Sequence, residues 1–148
     1  MTSDELRALG SLCDCLDVSR VRIYRGGGSA RARLLRRLVL LLSGGRGVAL
    51  GNLVVLPDRG ASLAVLAHEL THCAQYQAWG PVRYYTRAVA ERGRELRWRF
   101  GLGPSPYEYA SEPPRSFESY RMEQQGQIVE DCFRGSARAA ALSPYRPT

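Results

Sequence analysis

Ser62-Leu63-Ala64-Val65-Leu66-Ala67-His68-Glu69-Leu70-Thr71-His72-Cys73-Ala74-Gln75-Tyr76-Gln77-Ala78-Trp79 is the stretch on which the fold turns. Leu63, Leu66, Ala67, Leu70 and Ala74 recur at spacings of three and four, the period of a helix with one apolar stripe. Ser62 is a good N-cap, and Gly80-Pro81 supplies the stop. His68 and His72 are the only histidines of the chain. Four residues apart on a helix, they stack on one face beside the apolar stripe, with Glu69 next to them. Random placement would produce this spacing together with that Glu in about one chain per thousand.

Two stacked imidazoles followed by a carboxylate form the His-Glu-x-x-His arrangement of a zinc hydrolase. The imidazoles are neutral nitrogen ligands of the right softness, and the Glu can act as a base. Two ligands are too few for a lasting catalytic zinc site, which usually takes three protein ligands and keeps a fourth position for water. No other histidine is available, so a carboxylate from a later helix is expected. The segment Glu123-Gln124-Gln125-Gly126-Gln127-Ile128-Val129-Glu130-Asp131 offers one. Glu123 is the favoured ligand and Gly126 lets the helix come close. Glu118, Glu130 and Asp131 remain alternatives, the last two reading more easily as solvated or helix-pairing charges. Gln127, one turn on from Glu123, is placed to hydrogen-bond a ligand histidine. With one zinc ion bound, Glu69 would serve as general base in peptide-bond hydrolysis. An oxyanion donor is also needed, for which Tyr107, Tyr109, Tyr120 and Arg121 are candidates.

The remaining composition bounds the class. A chain of 148 residues, 45% hydrophobic and 24% charged, is one ordinary soluble domain. No apolar run is long enough to span a bilayer, and the acidic opening Met1-Thr2-Ser3-Asp4-Glu5 leads into no signal-type stretch, so cytoplasmic residence and no membrane partner are expected. All 21 cationic residues are arginine and the net charge is +7. Arg20 to Arg46 holds eight arginines and no acid, while Tyr107 to Asp131 holds six acids against Arg115 and Arg121. A basic face of this kind can meet nucleic acid or anionic lipid; a solvated helix surface accounts for it with less. Cys13, Cys15, Cys73 and Cys132 contain no Cys-x-x-Cys pair and read as reduced thiols.

Along the chain, Asp4 to Leu16 reads as a short helix and Val18 to Tyr24 as a strand closing at Gly26-Gly27-Gly28. Ala30 to Leu42 is an amphipathic helix with Leu34, Leu35, Leu38, Leu41 and Leu42 inward and Arg31, Arg33, Arg36 and Arg37 outward. Gly47 to Leu56 is a strand stopping at Pro57-Asp58-Arg59-Gly60. Val82 to Phe100 is a second long helix in which arginines alternate with Tyr84, Tyr85, Trp98 and Phe100. Such a pattern can stack on single-stranded nucleic acid, but aromatics packing inward from a solvated helix account for it with less. Gly101 to Arg115 is loop, and Phe117 to Phe133 is helix. This divides the chain into an N-terminal helical segment, 1–17, a main domain, 18–133, and a loose tail, 134–148.

Leu66-Ala67-His68-Glu69-Leu70-Thr71-His72-Cys73-Ala74-Gln75, preceded by Ala49-Leu50-Gly51-Asn52-Leu53-Val54-Val55, resembles the zincin-like domain family found with contractile injection systems, the eCIS core domain. Its members carry a strand with a Gly, then a helix with His-Glu-Leu-Thr-His and a Gln soon after. Tyr107-Glu108-Tyr109 and Tyr120-Arg121-Met122-Glu123-Gln124-Gln125-Gly126-Gln127-Ile128-Val129 are similar to small Vgr-related proteins, which read Tyr-Asp-Tyr and later Glu-Gln-Gln-Ala-x-Ile-Val. Together the resemblance covers about Val21 to Phe133. Glu123-x-x-Gly126 also resembles the Glu-x-x-Ala segment of compact gluzincins, in which that Glu is the third ligand. One departure is Gln127 where gluzincins usually carry Asp or Asn. The resemblance implies an α+β minimal zincin fold, a small antiparallel-edged sheet packed on the His-Glu-x-x-His helix, with a later ligand helix. It implies a zinc metallopeptidase acting on a peptide or protein, or alternatively a zincin-shaped binding or assembly module of an injection system that cleaves nothing.

Overall fold

The computed structural model describes residues 1–26, 29–57 and 61–148, without the side chain of Leu42. Expectations for Gly27-Gly28, for Asp58-Arg59-Gly60 and for an inward Leu42 therefore lie outside the described residues. The architecture is mixed α+β, mostly helical, with one small sheet. The elements are α1 (Ser3–Leu9), α2 (Ser11–Asp14), β1 (Arg22–Tyr24), α3 (Ala30–Leu42), β2 (Val48–Leu50), β3 (Leu53–Val55), α4 (Leu63–Arg99), α5 (Met122–Phe133) and α6 (Ala137–Leu142).

The sheet runs β1-β3-β2, with β1 parallel and β2 antiparallel to β3. The single strand expected over Gly47 to Leu56 is in fact this β2–β3 hairpin. Gly51 and Asn52 make its turn, Leu50 pairs with Leu53, and Gly51 takes φ 66°, a backbone value that glycine reaches without strain. A Cβ on Gly51 would also meet the Tyr76 ring at 3.2 Å. Ile23, Val54 and Ala49 form one cross-strand row, and that row joins the core beneath α4.

α4 begins on Ser62, whose side chain accepts from Val65 N–H. It breaks at Gly80, where φ 75° and ψ 167° leave the helical region before Pro81, so the two expected helices stand as two arms meeting at this break. The first arm is buried through Leu66, Ala67, Leu70 and Cys73, packed with Leu9, Leu12, Val54, Leu56 and Val129. In the N-terminal helical segment, 1–17, Gly10 divides the chain into α1 and α2, and Leu9, Leu12 and Leu16 enter the main core. Val18–Arg20 is a 3-10 turn rather than strand, and Phe117–Ser119 is another before α5.

Two further expectations are corrected. In α3 the leucines face out: Leu34, Leu35, Leu38 and Leu41 are 50–75% exposed, while Arg36 is buried and donates to the Leu56 carbonyl at 3.2 Å. In the second arm of α4 only Tyr84 packs inward; Tyr85, Trp98 and Phe100 are exposed. The stretch 134–148, expected to be loose, forms α6 against α5. Ala139 is fully buried with Tyr109, Tyr120, Ile128 and Cys132, and Arg146 N–H donates to Ser11 Oγ at 3.1 Å. Short, small-residue helices such as Ala137–Leu142 lack a long periodic signal but can dock where small side chains permit close approach. The cysteines are free, Cys73 and Cys132 buried, Cys13 half-buried and Cys15 exposed. Placing a charge in the second cluster tests the docking of α6: Ala139→Asp should lower stability by about 2 kcal/mol or more, read from urea unfolding.

Candidate metal site

The α4–α5 contact brings the sequence-distant ligand candidates together. His68 and His72 project from the first arm of α4, and Glu123 comes from the first turn of α5. His68 Nε2 and His72 Nε2 are 3.2 Å apart, and each lies 3.6 Å from an oxygen of Glu123. These three residues are able to hold a metal ion, with donor atoms all within 4.8 Å of one another. Close approach of the helices depends on Gly126, since a Cβ there would stand 2.8 Å from His68 Nε2.

The tautomers follow from the outer partners. Gln75 Nε2 donates to Gln125 Oε1 at 2.9 Å and to the Met122 carbonyl at 3.3 Å, so its Oε1 is the face turned to His72 Nδ1, at 2.8 Å. Gln125 is held in turn by donating to the Tyr120 carbonyl at 2.9 Å. His72 therefore carries its proton on Nδ1 and offers a lone pair at Nε2. The Glu130 carboxylate lies 2.9 Å from His68 Nδ1, close but poorly aimed, so no directed hydrogen bond forms at that nitrogen. An anionic oxygen there still favours the proton on Nδ1 and the lone pair on Nε2. Two lone pairs and a carboxylate then converge on one point, an arrangement that repels itself without positive charge between them.

The same demand for positive charge shows in the titration of these groups. Burial works against charge on His68, but Glu123 and Glu130 outweigh it and raise its pKa to about 10. His72 is likewise opposed by burial and raised by Glu123. Burial pushes Glu123 up, while His72 and His68 pull it well below the usual carboxylate range. A metal ion supplies more positive charge than one proton and can meet all three donors at once.

Glu69 is 5% exposed and lines a cleft of about 560 Å³ together with both histidines and Glu123. No described residue hydrogen-bonds or ion-pairs its carboxylate. Burial raises its pKa, His68 and His72 opposing only in part, so when ionised it is a stronger base than an exposed Glu. Room for it comes from Gly47, where a Cβ would meet Glu69 Oε1 at 2.9 Å. The break at Gly80 brings the second arm of α4 along the other wall, with Tyr84, Ala88, Glu91 and Glu95. Tyr84 donates to the Ala49 carbonyl at 3.1 Å and ties β2 to that wall.

The remaining candidates separate clearly. Tyr107 lines the cleft, its ring 6.5 Å from that of His68 and under the Arg46 guanidinium at 4.5 Å. Burial, with Glu123 nearby, raises its pKa, so the phenol stays a donor. Tyr109 and Tyr120 pack in the second cluster, on the side of α5 turned away from the cleft. Tyr109 donates to Asp131 Oδ2 at 2.8 Å, and neither tyrosine lines the cleft. Arg121 is likewise outside it. Gln127 does not reach a histidine: its amide donates to Asp131 Oδ1 at 2.9 Å. The position expected of it is taken by Gln75 on His72 and by Glu130 beside His68. Glu130, read from sequence as a solvated charge, is 3% exposed. Glu118 is exposed.

Residues 15–80 match the family model of the eCIS core domain. The match supports that family over the sheet, both histidines and Glu69, and it stops at the Gly80 break, before Glu123. No curated protein and no solved structure matches the chain. Gln75 lies within the eCIS core stretch and carried a usable signal, being three residues after His72 and so on its helix face. Glu130 carried none, since its approach to His68 depends on how α5 lies across α4. Gln75→Ala should weaken divalent-metal binding about tenfold to a hundredfold, whereas Gln127→Ala should leave it unchanged, as measured by calorimetric titration with Zn²⁺ and Co²⁺.

Proposed function

We propose that this chain is a zinc-dependent metallopeptidase of minimal zincin type working in the setting of a contractile injection system. The observation that carries it is the donor triangle. Four-coordinate zinc at ordinary bond lengths sets its ligand atoms about 3.3 Å apart; here the two ε nitrogens are 3.2 Å apart, and each has its own Glu123 oxygen at 3.6 Å, Oε2 beside His68 and Oε1 beside His72. Two imidazoles and one carboxylate are a catalytic zinc set that leaves a fourth position open to the cleft.

Bound zinc supplies Lewis acidity, polarising a carbonyl and making a water more acidic. The rest belongs to the chain. Glu69 takes a proton from the attacking water and returns it to the leaving amine. Gln75 holds His72 by a hydrogen bond, and the Glu130 carboxylate beside His68 Nδ1 favours the same tautomer there, with both ε nitrogens turned inward. Tyr107 stands as the hydrogen-bond donor for the developing oxyanion, the role for which Tyr109 and Tyr120 are misplaced. An extended peptide suits the cleft because β2, an edge strand of the sheet, runs along it.

Purified protein is expected to hold one zinc per chain by elemental analysis, lost in His68→Ala and in Glu123→Ala. Glu69→Gln should keep the zinc and lower cleavage of a quenched-fluorescent peptide library about a hundredfold or more. Absence of zinc from the unsubstituted protein, or full cleavage by Glu69→Gln, overturns the proposal. The eCIS core match favours a second reading, a zincin-shaped assembly module that holds metal without cleaving. Under it, Glu69→Gln leaves association with injection-system particles intact and no peptide in the library is cut by either protein.

A further inference from the structure

The outward leucines of α3 are not absorbed by the cleft or by the core. Leu34, Leu35, Leu38 and Leu41 are 60%, 64%, 50% and 75% exposed. Helical spacing puts Leu34, Leu38 and Leu41 on one stripe with Leu35 at its margin. Arg31 stands at the N-terminal end of the stripe, Arg33 and Arg37 border it, and all three are exposed. The side turned to the protein carries the half-buried Ala32, Val39 and Leu40 around Arg36, which is buried on the Leu56 carbonyl. No acidic residue occurs from Arg20 to Arg46. The outer face of the sheet repeats this chemistry in the exposed cross-strand row of Arg22, Leu53 and Leu50.

A helix with this division, leucine on one face and arginine along its border, suits a surface that is hydrocarbon within and anionic at its rim. A second copy of the chain fits less well, because two such faces would bring their arginines together in a chain already at +7. Nucleic acid offers phosphate but nothing to receive four leucines. The 13 residues of α3 make a helix about 20 Å long, too short to span a bilayer, and no helix of the described residues is long and apolar enough to cross one. The geometry therefore assigns α3 as a membrane-surface helix that lays Leu34, Leu38 and Leu41 into an anionic phospholipid bilayer, with Arg31 and Arg37 on the headgroups. This revises the expectation of no membrane partner. Ser43, Gly45 and Arg46, in the turn after α3, line the cleft, so a docked α3 holds the cleft close to the bilayer.

Flotation of the full chain with phosphatidylglycerol–phosphatidylcholine vesicles tests this, with pure phosphatidylcholine as the uncharged control. Binding is expected to the anionic vesicles and to be at least about tenfold weaker to the neutral ones. Leu38→Ser with Leu41→Ser keeps the net charge and should lower anionic-vesicle binding about tenfold at constant salt. Since both side chains are exposed, the circular dichroism spectrum should not change. Arg31→Gln with Arg37→Gln is a second variant and should weaken anionic-vesicle binding at low salt and flatten its dependence on salt. Equal flotation of the leucine variant and the unsubstituted protein means attraction by net charge alone and overturns the proposal. So does absence of flotation, or a leucine variant that turns a dimer into a monomer in sedimentation while binding vesicles as before.

Discussion

Everything at the site depends on how closely α5 can lie across the first arm of α4. Gly126 sets that distance, because the space a Cβ would fill is beside His68 Nε2. With the helices this close, Glu123 completes the triangle with His68 and His72, Glu130 reaches the far nitrogen of His68, and Gln125 meets Gln75. One packing contact thus delivers the third group able to hold a metal ion and two of the side chains that surround the imidazoles. The apolar residues of the same two helices, Leu66, Leu70 and Val129 among them, hold the contact from below.

The cluster also explains why so many charges can stay buried. His68, His72, Glu69 and Glu130 are each no more than 6% exposed, and burial alone penalises the charged form of every one. Opposite charges at short range offset that penalty, which is why the imidazoles are raised and Glu123 and Glu130 lowered. Glu69 stands apart. Its pKa is raised rather than lowered, and its carboxylate is left facing the cleft with no described partner. A buried carboxylate so placed contributes little to holding the fold, and it is well suited to taking a proton.

Particular residues show what could be read before the fold was known. His68, Glu69 and His72 were legible because a spacing of four fixes a shared helix face whatever the helix packs against. The Gly80-Pro81 break was legible for the same local reason, since neither residue continues a helix. Glu123 could be narrowed from the shortage of other ligands, although Glu118, Glu130 and Asp131 could not be dismissed. The Gly51-Asn52 turn was written in the sequence as a two-residue hairpin signal, yet the apolar run around it read as one strand. Gln75 and Gln127 were both spaced to serve a histidine, and only the tilt of α5 decided between them by directing Gln127 to Asp131.

By itself, then, the sequence determined the motif helix, its break, the pair of imidazoles with Glu69 beside them, and the α+β class, because each follows from residue spacing along one element. Tertiary structure alone decided which carboxylate stands over the histidines, which amide fixes the His72 tautomer and which tyrosine enters the cleft. It also decided which face of α3 turns outward. Amphipathicity defines two faces of a helix but does not say which one the rest of the chain will cover. That depends on what is left to pack against, and the side of α3 with Ala32, Val39 and Leu40, pinned by Arg36 on the Leu56 carbonyl, is the one that found a partner.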